Sequence, residues 1–140
     1  MKKAGIECEL VILDFEKFSE DGKYYFDKCL EEEIPAKIYI SKEDLDKYNS
    51  ILDCIFGTGF KGDVTGIAKD AIDAINAKNV YVVSADINSG LNGDTGEGST
   101  FVRSDLTVSI GTFKHGHFKG LADEAMKKKV NADIGIKIIE

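Results

Sequence analysis

A chain of 140 residues suits one domain, and at this length folding removes roughly 70% of the unfolded surface from water, enough for a core without staples. Hydrophobic residues at 43% and charged residues at 31% are ordinary for a globular protein and exclude wholesale disorder. The net charge of −7, from 25 acidic and 18 basic residues, repels phosphodiester backbones and argues against general nucleic-acid binding.

Taken in chain order, Glu7–Leu13 (ECELVIL) reads as a strand. Ser19 caps a helix running to about Glu33, which Pro35 closes. Tyr24, Tyr25 and Phe26 fall in its middle as core and boundary packing. Ala36–Ile40 is a second strand, and Ser41 with Asp44 opens a short helix to about Tyr48. Ser50–Phe56 (SILDCIF) is a third strand, followed by a glycine loop and a helix from about Val64 to Ala77 with Ile67, Ala71, Ala74 and Ile75 on one face. Val80–Ile87 is a continuous apolar run that suits a central strand covered on both faces.

Asn88–Ser104 is then a polar loop, long for a compact domain and for that reason a functional suspect. Leu106–Ile110 is a strand, followed by the loop GTFKHGHFKG, a helix near Leu121–Lys129 and a last strand near Ala132–Ile138. The basic run Lys127-Lys128-Lys129 reads as a solvated helix end. This alternation predicts an α/β fold with a mainly parallel sheet and helices on both faces.

Cys8, Cys29 and Cys54 are dispersed and odd in number, the pattern of reduced thiols and not of a disulfide framework. No apolar run approaches ~20 residues, so no membrane span is expected and a cytoplasmic location is the default.

Three regions can carry chemistry. Gly57, Gly59 and Gly62 spell GxGxxG between a strand and a helix, where backbone N–H groups can approach a phosphate. Asp86 ends the next strand, in the place of a ribose-binding acid. The alternative for the glycines is a tight turn, and for Asp86 a cap or turn. Asp53 lies inside an apolar strand, where a carboxylate is costly unless paired, hydrogen-bonded or bound to a cation. Its alternatives are a strand-end cap or an ion pair with a lysine. In KHGH, Lys114 is a candidate phosphate contact, whereas His115 and His117 lack further metal ligands and read as exposed loop histidines.

Together DCIFGTGFKGD, VVSADINSGLNGDTG, DLTVSIGTFKHGH and the terminal ADIGI resemble the NAD(P)H-hydrate epimerase family, also called the YjeF N-terminal domain, over about Leu52 to Ile136. The resemblance implies a Rossmann-like three-layer sandwich and interconversion of the R and S forms of hydrated NADH and NADPH. It implies that Asp53 and Ser89 contribute to a potassium site. It also implies that Gly57, Thr58, Gly59, Phe60, Lys61, Gly62 and Asp63 bind the phosphate-bearing part of the substrate. Asp86 would contact the hydrated ring as acid and base, protonating the hydroxyl as a carboxylic acid before its carboxylate accepts a proton from incoming water.

Two departures stand out. Asn88 replaces the proline of the DxPSG pattern, a change expected to loosen the loop, and the family's GNNGGDG-type loop is absent. Residues 1–140 are thus expected to form the C-terminal portion of such a domain, truncated at its N-terminus and missing a central strand. The resemblance implies a homodimer, and the alternatives for the missing part are a complementing N-terminal fragment, a different mode of dimerisation or a shortened gene product. The competing readings are a catalytically inactive dimerisation or scaffold module of the same fold, and an ordinary NAD-linked oxidoreductase using the literal GxGxxG.

Overall fold

The computed structural model describes residues 1–135, which divide into two compact units, residues 1–44 and a second beginning at Leu45. The end of the expected last strand and of the ADIGI motif, from Ile136 onward, lies outside the described residues.

In the first unit the Ser19 side chain accepts the Gly22 N–H at 3.0 Å and starts α1 (Glu20–Glu31), with Glu20 and Asp21 in the first turn where the helix dipole favours acids. The helix connects β1 (Leu10–Ile12) to its parallel partner β2 (Ala36–Ile38), with Leu10 opposite Ala36 and Ile12 opposite Ile38. Phe15, Phe18 and Phe26 cluster with ring centroids 5.1–6.0 Å apart. Tyr24 and Tyr25 do not join them: they are exposed, because their positions fall on the outer face of α1. In place of the expected helix from Ser41 there is one 3₁₀ turn at Lys42–Leu45. Asp44 caps it, accepting the Ile40 and Ser41 N–H groups, and these bonds and Lys37 hold its carboxyl at about 2.

The second unit is a four-stranded parallel sheet in the order β3 (Ser50–Asp53), β4 (Tyr81–Ala85), β5 (Leu106–Ile110) and β6 (Lys129–Ala132). The α/β class and parallel pairing are as expected, but the described strands form two sheets, β1-β2 and β3-β4-β5-β6. Helix α2 (Gly66–Asn76) is the crossover from β3 to β4; it buries Ala71, Ala74 and Ile75 of the expected stripe together with Ile72, while Ile67 is only part-buried. The apolar run of β4 alternates in burial: Val82 and Ser84 are buried while Tyr81 is half exposed, so one face is covered more than the other.

β6 begins several residues earlier than expected. α3 (Ala122–Ala125) is a single turn, and the chain leaves it at Met126 in extended conformation. The three lysines are therefore not a helix end. Lys127 pairs with Asp105, and Lys129 opens β6 with its ammonium on the His117 carbonyl at 2.9 Å and on Asp123.

Loop 88–104 is packed, not open. Leu91 and Phe101 sit in a core with Ile87, Ala122, Ala125 and Met126. Asn88, fully buried, donates to the Val102 carbonyl at 2.8 Å, the Ala125 carbonyl at 2.9 Å and Ser104 Oγ at 3.0 Å, and accepts from the Thr107 hydroxyl. The residue expected to loosen the loop is its main polar tie. Gly90 has φ 97° and a Cβ there would lie 2.0 Å from the Thr100 carbonyl oxygen, so only glycine fits. Asn88→Ala removes these hydrogen bonds, although the Ala125 carbonyl keeps the Ser104 N–H and the Ser104 and Thr107 hydroxyls keep each other, and it is expected to cost about 1–3 kcal/mol by urea denaturation with an unchanged m-value.

Candidate active site

The strand order brings the C-terminal ends of β3, β4 and β5 together, where open α/β sheets hold their ligands. Asp53 ends β3 and is 1% exposed. Its Oδ1 accepts the Ser89 hydroxyl at 2.5 Å and the Ile55 N–H at 3.2 Å; its Oδ2 accepts the Ser84 hydroxyl at 2.8 Å and the Ser89 N–H at 2.9 Å. Burial pushes this carboxyl above the ordinary range, and the four donors pull back only part of the way. All four partners are neutral, so the charge is hydrogen-bonded but not neutralised. Cys54 is exposed as a residue, but reduced solvation around its sulfur and the adjacent Asp53 charge push the thiol up to about 11.

Asp86 follows β4 in the left-handed region, φ 68°, a conformation uncommon for a residue with a side chain and often found at functional sites. Its N–H donates to the Val108 carbonyl of β5, its Oδ1 pairs with the Lys114 ammonium, and its Oδ2 accepts the Thr58 N–H at 3.3 Å. Both side chains of the ion pair keep about a quarter of their surface in solvent, so a small molecule can reach them. Partial burial opposes ionisation of Asp86, but the Lys114 hydrogen bond and charge and the Thr58 bonds outweigh it and hold the carboxyl below its usual range. An ionised carboxylate thus stands beside an ammonium, a proton acceptor next to a proton donor.

The glycine loop joins this pair. Gly57 approaches Asp86 Oδ2, Thr58 packs on Gly93, Phe56 and Phe60 stack at 4.5 Å, and Asp63 accepts the Ser99 hydroxyl at 2.7 Å. Gly59, Lys61 and Gly62 lie on the same loop, with Lys61 and Gly62 exposed. No helix starts inside the GxGxxG: α2 begins at Gly66, past the third glycine, so a dinucleotide fingerprint with its phosphate on a helix N-terminus is not formed.

Sequence reasoning missed two partners. Ser84 was hidden as one small residue in an apolar strand. His117 is fully buried, not an exposed loop histidine, whereas His115 is exposed; nothing in KHGH separates the two. The HxH pair is split accordingly, and among the described residues no group of three His, Cys, Asp or Glu side chains stands together.

The two aspartates are expected to titrate on opposite sides of the ordinary 3.8, Asp53 above and Asp86 below, as read by carboxyl ¹³C NMR. Asp86, depressed in the fold, supplies stability present above its unfolded value and lost as pH falls through the folded one. Asp53, raised in the fold, has the opposite sign: its contribution declines as pH climbs from 3.8 toward the folded value.

Residues 1–116 match the family described as YjeF-related protein N-terminus. The chain is 33% identical to the NAD(P)H-hydrate epimerase of Anaerococcus prevotii, with 90% of this chain and 61% of that protein aligned. It is 34% identical to the protein of the same name from Oenococcus oeni, over 88% of this chain and 58% of that one. The crystal structure of the yeast protein YNL200c superposes with a TM-score of 0.73 at 19% identity, covering 89% of this chain and 54% of the yeast chain, which shows a shared fold. The chain spans about three fifths of the length of these two epimerases. With its match to the family over most of its length, the chain belongs to the YjeF-related N-terminal family.

Proposed function

We propose that the chain is the working part, or the C-terminal portion, of an epimerase for the R and S forms of hydrated NADH and NADPH, in nicotinamide nucleotide repair. The observation that carries this reading is the Asp86–Lys114 pair, held on a left-handed residue beside the glycine loop, in a chain of an epimerase-containing family.

The substrate carries a hydroxyl on the carbon next to the ring nitrogen. The nitrogen lone pair expels that hydroxyl, which needs a proton to leave as water. A carboxyl held below its usual range suits Asp86 to the base half of the acid/base role, and the Lys114 ammonium hydrogen-bonded to it is placed to protonate the departing hydroxyl. Water then adds to the opposite face of the planar iminium and its proton returns to the pair, so atoms and charge balance without a redox step. The loop Gly57–Asp63 would hold the phosphate-bearing part through backbone N–H groups and the exposed Lys61.

A potassium ion suits the oxygens at the end of β3. Asp53 Oδ1, Ser89 Oγ and, 3.2 Å from that hydroxyl, the Phe56 carbonyl are hard donors around a buried charge with only neutral partners. Bound there, potassium would supply fixed positive charge near the phosphates. Asp53 and Ser89 would hold it, and Ser89 also accepts the Phe56 N–H that sets the entry to the glycine loop.

Leu52, Tyr81 and Ile110 alternate onto one sheet face and are 43–52% exposed. Parallel sheets bury both faces, so a second copy or a complementing N-terminal fragment is the expected cover, and the inactive scaffold remains the second reading.

Epimerisation of hydrated NADH is to be assayed with and without potassium, for this chain and for a version of the relatives' full length. Asp86→Asn and Lys114→Met are expected to lower kcat/KM by about 10²-fold or more, a loss much larger than the modest fall in melting temperature that breaking the ion pair brings. An Asp86→Asn enzyme of normal rate would overturn the mechanism. Absence of activity in both lengths would put the scaffold first.

A further inference from the structure

His117 has no part in the chemistry above, yet it touches both members of the pair. Its ring is fully buried, with Nδ1 3.0 Å from the Lys114 backbone nitrogen and Nε2 2.8 Å from the Asp86 carbonyl oxygen. A backbone N–H only donates and a carbonyl only accepts, so Nδ1 is the acceptor and Nε2 carries the proton. One imidazole in one tautomer therefore joins two backbones 28 residues apart. The contact to the Lys114 carbonyl, 3.3 Å from Nδ1, would need a proton on Nδ1, which the shorter bond from the Lys114 N–H to that nitrogen excludes. The ring is fixed in turn: Phe113 packs edge-on at 5.4 Å, and the neighbouring Gly116 N–H donates to the Gly93 carbonyl.

The bond to Asp86 falls where the backbone most needs one. Asp86 adopts φ 68°, which a residue with a side chain holds only when its surroundings impose it. Its N–H is held by Val108 and its carbonyl by His117, so both sides of the strained residue are anchored. The second bond fixes the backbone from which Lys114 reaches across to the same carboxylate.

We propose that His117 is a positioning residue that sets the Asp86–Lys114 pair through its neutral Nε2–H imidazole; this rests on the epimerase reading for its catalytic consequence but not for its geometry. Glutamine can place a donor where Nε2 stands, asparagine an acceptor where Nδ1 stands, and leucine fills the space with neither.

In the ¹⁵N-labelled chain, imidazole nitrogen shifts are expected to report the Nε2–H tautomer at neutral pH. His117→Gln should leave the Asp86 and Ile87 amide signals in place and move that of Lys114; His117→Asn should do the reverse. In the active form, His117→Gln should keep kcat within about threefold, while His117→Asn and His117→Leu lower it about tenfold or more at nearly constant KM. An Nδ1–H tautomer, or losses in kcat that follow melting temperature alone, would overturn the proposal. If no form epimerises the substrate, the functional reading fails, and the tautomer and amide shifts still decide whether the clamp exists.

Discussion

A carboxylate taken out of water has to be satisfied where it lies, and Asp53 imposes that condition on everything around it. Its four acceptor positions take donors from β4, from the turn after β3 and from the start of loop 88–104. Meeting them fixes the end of β3 against β4 and the position of Ser89, whose hydroxyl receives the Phe56 N–H. The glycine loop leaves the sheet in the direction set there. Asp86 is three residues before Ser89, so the same knot limits where the catalytic candidate can stand.

The two aspartates show how one residue type takes opposite electrostatic characters within a single site. Asp53 is ringed by neutral donors in a dry place, and burial dominates. Asp86 is part exposed with an ammonium on one oxygen, and the partner dominates. The first suits holding structure or a cation, and the second suits moving a proton.

The sequence made much of this legible. An acid inside SILDCIF could not be an ordinary strand residue, and Asp86 at the end of an apolar run had to lie at the carboxyl edge of a sheet. Short apolar runs located β3, β4 and β5, and helical spacing located α2. What stayed hidden depends on tertiary partners. Asn88 looks like a loop residue until Val102, Ser104, Thr107 and Ala125 converge on it. His115 and His117 are chemically identical in the sequence, and only the fold buries one of them. Lysines 127–129 carry no period, so local propensity could not say that the helix stops after one turn and a strand takes over.

The close approach of backbones around loop 88–98 has a consequence for any mutational scan. A Cβ at Gly96 would lie 2.2 Å from the Lys119 carbonyl oxygen, one at Gly98 2.3 Å from that of Gly90, and one at Gly116 2.5 Å from that of Asn92. These positions will reject every side chain on grounds of volume alone. In a library scored by cellular abundance they will form a block as intolerant as a catalytic centre, although no reacting group lies among them. Only residues that lose turnover while keeping abundance will then mark the chemistry.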